Sequence, residues 1–222
     1  METIHLHSKN SYERVFINEP EVNLHIVQEA GSRVKIHVIN FPIESTQSRD
    51  HVTTTNNITV DQTGEGCETE IYALAYLTGD EQVSLETHVN HAVGGGKSNQ
   101  LIKFVLDGQA KGRFLGELKI APNAQQTEAH QTNRNLLLSD DAEMRTQPQL
   151  EIYADDVQAT HGASTGQLDE AALFYMQQRG IGIQKARQLL VNAFMKEVLD
   201  QLPATKDHRL TTLLNTIDGV VE

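Results

Sequence analysis

The sequence predicts a mainly β protein with a helical segment at its C-terminal end, and three observations lead to that fold class. Up to about residue 165, apolar residues alternate with polar ones, as they do in half-buried strands. Short turns rich in Gly, Thr and Asp separate these runs, so the strands follow one another closely. After Gly166 the apolar residues recur at helical spacing. We therefore predict a β domain over residues 1–165 and a helical segment over residues 166–222.

Seven runs carry the strand alternation clearly. They cover residues 22–26, 34–38, 58–60, 71–77, 83–89, 102–106 and 114–120. The turns between them are short and include residues 29–32, 63–66, 78–80, 94–96 and 107–108. Strands that follow one another so closely are typical of a sandwich, a barrel or a solenoid of stacked coils.

Polar residues within the strand-like runs bear on the choice between these architectures. Thr and Asn are frequent in residues 53–59, and Gln131 and Asn133 lie in a similar run. Stacked coils tolerate such residues, because equivalent side chains on successive coils can form hydrogen bonds with one another. Repeat architectures have periods of roughly 20–50 residues, but no clean period is visible in this sequence. From pattern alone, a sandwich and a solenoid remain about equally favoured.

The C-terminal segment is predicted to form three amphipathic helices. The first covers residues 167–179, with Asp169 near its N-terminus, where a negative charge is favourable. Gly180 follows as a typical C-terminal stop. The second helix covers residues 183–202 and the third covers residues 208–219. Such helices can pack back on the β domain, and they can also dock a partner.

Composition and charge exclude several classes of function. The chain has 222 residues and a net charge of −12, with a pI of about 5.2. A broad interface with nucleic acid or anionic lipid is therefore not expected. No run approaches the roughly 18 apolar residues of a membrane span, and residues 1–10 lack the apolar core of a secretory signal. We expect a cytoplasmic protein.

Cys67 is the only cysteine, and this fact limits the chemistry of the chain. The chain can form no intrachain disulfide and no zinc or redox site of the CxxC type. An iron–sulfur cluster held wholly by cysteines needs about four thiolates, so this chain alone cannot supply them. We expect Cys67 to be a small, buried and unreactive strand residue.

No motif in the sequence predicts an enzyme. The run from Gly94 to Ser98 resembles a phosphate-binding loop, but it lacks the first glycine and is followed by a strand pattern. No nucleophile motif is present. The acid pairs Asp140–Asp141 and Asp155–Asp156 are adjacent residues, which point to opposite faces of a strand and so cannot act as a dyad. We expect no catalytic residues and no cofactor bound by this chain alone.

One long stretch, residues 124–181, carries a family resemblance. It resembles the SufB/SufD family of iron–sulfur cluster assembly proteins, and the SufD branch in particular. The matching elements are Gln125-Gln126-Thr127, Asn133-Arg134-Asn135-Leu136-Leu137-Leu138-Ser139, Pro148-Gln149-Leu150-Glu151-Ile152, Ala154-Asp155-Asp156-Val157, His161-Gly162-Ala163, Gly166-Gln167-Leu168-Asp169, Leu173-Phe174-Tyr175 and Arg179-Gly180-Ile181. A looser likeness extends it to roughly residues 60–200.

The resemblance implies a fold and a set of partners. The family folds as a right-handed parallel β-helix with a helical C-terminal segment, which favours the solenoid. Its members assemble with a second SufB- or SufD-type subunit and with SufC, an ABC-type ATPase that docks on the C-terminal helices. Phe174, Tyr175 and Arg179 would then contact the ATPase. The implied function is that of a non-catalytic scaffold subunit, and the alternative is a self-associating β-helix module without a cluster role.

His161 is the candidate metal ligand that the resemblance provides. It matches the SufD histidine at the interface with SufB, where a transient iron–sulfur cluster would form. An imidazole is suited to bind iron beside thiolates from a partner. A simpler interpretation is that His161 caps a turn before the first helix. Many SufD proteins have a cysteine two residues earlier, where this chain has Ala159. The resemblance also implies an N-terminal helical segment, which we expect to be missing from this chain, so that it is either a fragment of a longer protein or a reduced homologue.

Overall fold

A computed structural model describes residues 1–42 and 53–204, together with Thr211. Its elements, in chain order, are β1 (Glu2–Leu6), β2 (Ser11–Ile17), β3 (Glu21–Gln28), β4 (Arg33–Asn40), β5 (Thr53–Gln62), β6 (Glu68–Leu77), β7 (Gln82–His91), β8 (Lys97–Leu106), β9 (Lys111–Ile120), β10 (Thr127–Leu137), β11 (Glu143–Ile152), β12 (Val157–Gly166), α1 (Glu170–Gln178) and α2 (Ile183–Leu199). The third predicted helix, residues 208–219, lies outside the described residues except for Thr211.

The twelve strands form two parallel sheets that are wound as a solenoid. One sheet has the order β1-β3-β5-β7-β9-β11, and the other has the order β12-β10-β8-β6-β4-β2. Successive strands therefore alternate between the sheets, and each coil stacks on the one before it. This arrangement confirms the predicted parallel β-helix and excludes the sandwich.

The main core lies between the two sheets and is almost wholly aliphatic. Side chains point to alternate faces of a strand, so every second residue of each strand faces inward. In β5 and β7 the inward row includes Ile58, Val60, Leu85 and Val89, which are at most 2% exposed. Phe104 and Phe114 are the largest side chains buried in this layer. With few aromatic residues in the chain, the interior is filled mainly by branched aliphatic side chains.

Polar side chains also lie inside the solenoid, and several of them bond to one another between strands. Thr69 Oγ1 donates to Gln28 Oε1 at 2.6 Å and accepts from Gln62 Nε2 at 2.8 Å. One coil further along, Thr87 Oγ1 donates to Gln100 Oε1 at 2.7 Å. The Thr- and Gln-rich strands therefore fit a stack of coils, as their composition indicates.

The second helix covers the outer face of the even-numbered sheet. Val191, Met195 and Val198 of α2 pack against outward side chains of β6 and β8, including Tyr72 and Leu101. This second core fixes α2 on the solenoid.

A buried lysine adds a polar contact between α2 and the same sheet. Lys103 of β8 is 2% exposed, and its Nζ donates to the carbonyl oxygen of Phe194 at 2.6 Å. The Nζ also lies 2.6 Å from a carboxylate oxygen of Glu197. The ion pair holds the pKa of Glu197 below its ordinary value, chiefly through this hydrogen bond.

Two sequence predictions need correction. Cys67 is buried and free, but it lies in the turn directly before β6 and not in a strand. Its Sγ is 3.1 Å from the carbonyl oxygens of Glu29 and Gly64, within the stacked corner of the coils. The helices are also shorter than predicted: α1 begins at Glu170 and not at residue 167, because Asp169 is its N-cap, and α2 ends at Leu199 and not at residue 202.

Candidate functional site

The last coil leaves one end of the solenoid open. Within the described residues, β11 pairs only with β9, and β12 pairs only with β10. Both are ten-residue strands, so each presents a long free edge of backbone N–H and C=O groups. Pro148 has no N–H to donate, and it is accommodated because β11 is an edge strand. A long open edge is a template on which another chain can pair.

The inward row of this last coil is partly exposed, because no further described coil covers it. Met144 and Leu150 of β11 and Val157 and Ala159 of β12 lie on this row, and all four are only partly buried against the main core. Their equivalents on the preceding coils are almost fully buried. The inward side chains of the last coil therefore form a largely apolar surface at the open end.

His161 lies in the middle of β12, on the inward face of the open coil. It pairs in register with Gln131 of β10, and Ala159 on the same face packs against the main core. Although it faces inward, the imidazole is exposed at the open end. The interpretation of His161 as a cap in a turn is wrong, because the strand continues to Gly166 and Asp169 caps the helix.

The strand that carries His161 is held by a buried amide network. Asn133 Nδ2 donates to Asn135 Oδ1 at 3.0 Å, and Asn135 Nδ2 donates back to Asn133 Oδ1 at 2.8 Å. Asn135 also donates to the hydroxyl of Thr165 at 3.1 Å, and Thr146 donates to Asn133 Oδ1 at 2.8 Å. These bonds join β10, β11 and β12, so the backbone around His161 is fixed on both walls of the coil.

Another histidine lies on the neighbouring strand, next to the register partner of His161, but it faces the other way. His130 of β10 is exposed on the outer face, where its Nδ1 is 2.8 Å from Thr160 Oγ1 of β12. Because adjacent residues alternate between faces, His130 and His161 cannot contribute to one site. Among the described residues, no group of three or more His, Cys, Asp or Glu side chains could hold a metal ion.

The first helix presents the three residues predicted to contact a partner. Asp169 caps it, accepting from Ala171 N at 2.8 Å, and Leu173 is its only fully buried residue. Phe174 is 63% exposed and Tyr175 is 59% exposed. The Arg179 guanidinium lies over the Tyr175 ring, 4.9 Å from its centre. Exposed aromatic residues beside an arginine are typical of the centre of a protein interface.

The fold and these surfaces can be compared with known proteins. The family model for the SufBD core domain of the SUF system for FeS cluster assembly matches residues 21–194. The chain belongs to the SufB/SufD family. That family domain contains most of the solenoid, His161, α1 and most of α2.

Three curated relatives show the extent of the similarity. An iron–sulfur cluster assembly SufBD family protein of Synechocystis is 36% identical over 207 residues, covering 87% of this chain and 45% of the relative. The iron–sulfur cluster assembly protein SufD of Escherichia coli is 37% identical over 147 residues, covering 66% of this chain and 35% of SufD. The chloroplastic protein ABCI7 of Arabidopsis thaliana is 36% identical, covering 67% and 31%. This SufD-like chain thus spans less than half the length of these relatives.

Sequence reasoning named His161 and the α1 residues as candidates, and it did not predict the open edge or the residues that support the strand of His161. Neither β11 nor β12 shows the apolar alternation of a strand, because both faces of the last coil are partly exposed. Asn133 and Gln131 were visible only as polar residues in a strand-like run. Among the described residues, no helix is long and apolar enough to cross a membrane.

Proposed function

We propose that this chain is a non-catalytic, SufD-like scaffold subunit of a SufBCD-type complex for iron–sulfur cluster assembly. The observation that carries the proposal is the position of His161 at the open end of a SufBD-family solenoid. An open coil edge suits pairing with another SufB- or SufD-type subunit, and it puts the imidazole into that interface. The exposed face of α1 suits docking of a SufC-like ABC-type ATPase. Membership of the SufBD core family of the SUF system supports these partners, and we propose the cytoplasm as the place of assembly.

In this proposal the chain supplies one imidazole and holds no cluster alone. Iron and sulfide are cargo that is built up between subunits, with thiolates supplied by the partner, since Cys67 is buried at a corner of the solenoid. An imidazole is a suitable ligand for iron in such a mixed set. His161 therefore binds iron transiently at the interface, and the rest of the chain holds the two partners in place.

The proposal is tested by reconstitution with SufB- and SufC-type proteins. The three chains are expected to co-elute on size exclusion, and the complex is expected to assemble a cluster that is followed by its visible absorption. His161→Ala should leave complex formation intact and lower the cluster yield, since only the imidazole is removed. His130→Ala is the matched control, because it removes an exposed histidine from the other face of the adjacent strand. Absence of a complex at micromolar protein, or an unchanged yield for His161→Ala, contradicts the proposal.

The alternative function is a self-associating β-helix module without a cluster role. The observation that favours it is the same open edge, which a second copy of the chain can cover as well as a SufB-type subunit. Light scattering combined with a pull-down on a SufC-type ATPase separates the two functions. A dimer that does not retain the ATPase supports the alternative, whereas retention of the ATPase supports the scaffold.

A further inference from the structure

A buried glutamine lies directly below His161 in the solenoid. Gln131 of β10 pairs in register with His161 of β12, and both side chains face inward. Neighbouring strands are about 4.8 Å apart, so the two side chains are stacked one coil apart. Gln131 is only 1% exposed, whereas His161 is open to solvent. The Gln131 side-chain amide is therefore a polar group in the interior that lies next to the His161 imidazole.

Neither end of this amide has a partner within the part of the chain that the structure describes. Both Gln131 Nε2 and Gln131 Oε1 are buried without a hydrogen bond. A buried amide in this state lowers stability unless another group bonds to it. A methionine or leucine at this position would fill the same space without that cost.

A comparison with the preceding coil shows why the amide is unpartnered. There, Gln100 occupies the equivalent position and its Oε1 accepts from Thr87 on the opposite wall at 2.7 Å. On the next coil, Gly116 takes the place of Thr87 and provides no hydroxyl. A Cβ at Gly116 would come within 2.3 Å of Gln131 Nε2, so the glycine makes room for the amide and gives it no bond.

We propose that Gln131 is a positioning residue for His161. When the His161 ring turns inward, Gln131 Oε1 accepts the N–H of one imidazole nitrogen, and the lone pair of the other nitrogen is directed to the open end. This bond is not formed in the structure, where the imidazole is exposed. A histidine that binds a metal ordinarily donates its second ring N–H to such an acceptor, which fixes the tautomer and the ring orientation. The ion that this lone pair would bind is a divalent transition metal ion such as Fe²⁺. This inference rests on the proposed metal-binding role of His161.

The test uses the full chain and compares Gln131→Met with the wild type by long-range ¹H–¹⁵N NMR at mildly alkaline pH. The His161 signals are assigned by their loss in His161→Ala. In the wild type we expect one tautomer, and in Gln131→Met a mixture of both. Co²⁺ is then added as the probe, and the concentration that half-broadens the His161 signals should rise at least about tenfold in the variant.

Asn56→Leu is the matched control. Asn56 is also 1% exposed with both amide atoms unpartnered, but it lies in β5, far along the solenoid from His161. Both replacements should leave the unfolding midpoint unchanged or raised, because each removes a buried unpaired amide. Only Gln131→Met should change the His161 tautomer and the Co²⁺ response. A merely structural role for Gln131 would change neither.

Two outcomes overturn the inference. One is a mixture of His161 tautomers in the wild type, which needs no variant to fold. The other is a Gln131→Met chain with the wild-type tautomer and the wild-type Co²⁺ response. The proposed function fails separately, if His161→Ala leaves the cluster yield of the reconstituted complex unchanged while the tautomer of His161 still depends on Gln131.

Discussion

Several single residues at the corners of the solenoid adopt a left-handed backbone conformation. At the corner between odd and even strands, Gly31, Gly66 and Gly95 have φ values of 67°, 66° and 70°. This left-handed region is open to glycine and costs most other residues roughly 1–2 kcal/mol. The backbone there bonds from coil to coil, for example from Gly31 N to Glu65 O at 2.8 Å. The sequence predicts these glycines only as turn residues, whereas in the structure their turns are also hydrogen-bonded to the turns of neighbouring coils.

Gly66→Ala is expected to destabilise the chain by about 1 kcal/mol. An added Cβ at Gly66 meets nothing within 4 Å, so the cost arises from the backbone conformation alone. Gly162→Ala is the matched control, because its Cβ also meets nothing and its φ is not in the left-handed region. Urea unfolding measures both variants. Equal stabilities for the two variants would show that the corner conformation has no energetic role.

A second residue-scale feature is a histidine kept neutral inside the solenoid. His91 is 1% exposed, and its Nε2 lies 2.9 Å from Ser98 Oγ. Burial lowers the pKa of His91 to about 4, because the interior disfavours the imidazolium. In the unfolded chain the same group has a pKa of about 6.5. Between these values the unfolded state therefore binds more protons than the folded state.

The free energy of unfolding is thus expected to fall as the pH falls from 6.5 to 4. The slope from His91 is at most about 1.4 kcal/mol per pH unit, and about 3 kcal/mol over the window. His91→Gln removes the titrating group and should flatten the dependence, as measured by urea unfolding at a series of pH values. His5→Gln, at an exposed strand position, is the control for replacing a histidine. A His91→Gln chain with the wild-type slope would refute the role of burial.

At the scale of elements, apolar alternation predicted the strands in the middle of the solenoid and missed those with polar or exposed faces. The seven predicted runs correspond to β3 through β9. In β10 the inward row is polar, with Gln131 and Asn133 in place of aliphatic residues. In β11 and β12 neither face is fully buried, so an apolar residue at every second position is not needed to form the strand. These three strands lie within residues 124–181, the stretch that carries the family resemblance, so the resemblance predicted their fold where apolar alternation did not.

The exposed face of α1 leads to an element-scale prediction about the ATPase. Tyr175→Ala is expected to weaken binding of a SufC-type ATPase at least about tenfold, because large exposed aromatic residues dominate interface energies. Tyr153→Ala is the matched control, since Tyr153 is also 59% exposed but follows β11. Isothermal titration calorimetry measures both affinities. A loss of affinity that is the same for both variants would place the ATPase elsewhere.

At the scale of the whole molecule, the coils differ in length, and this explains why no repeat period is visible in the sequence. Partners in register are Glu2 with Leu24, then Glu21 with Thr55, and then Thr53 with Gln82, so the repeat is 22, 34 and 29 residues long in turn. The longer repeat contains the ten residues 43–52 between β4 and β5 that are outside the described chain. A search for one fixed period fails on such a sequence, although the strands of successive coils stack in register.

At this scale the described solenoid also has two ends, and the proposed subunit interface uses only the end formed by β11 and β12. Ala163 lies on the exposed inward row of that end, in register with Asn133. Ala163→Glu places a charge on this apolar surface, where pairing with another subunit would bury it, and burying an unpaired charge is strongly unfavourable. We expect binding of a SufB-type subunit to weaken at least about tenfold, with stability of the chain alone changed by less than about 0.5 kcal/mol. Thr3→Glu puts the same charge on β1 at the opposite end, and sedimentation velocity compares the two variants. If Thr3→Glu weakens the complex and Ala163→Glu does not, the subunit contact lies at the β1 end and His161 cannot be part of it.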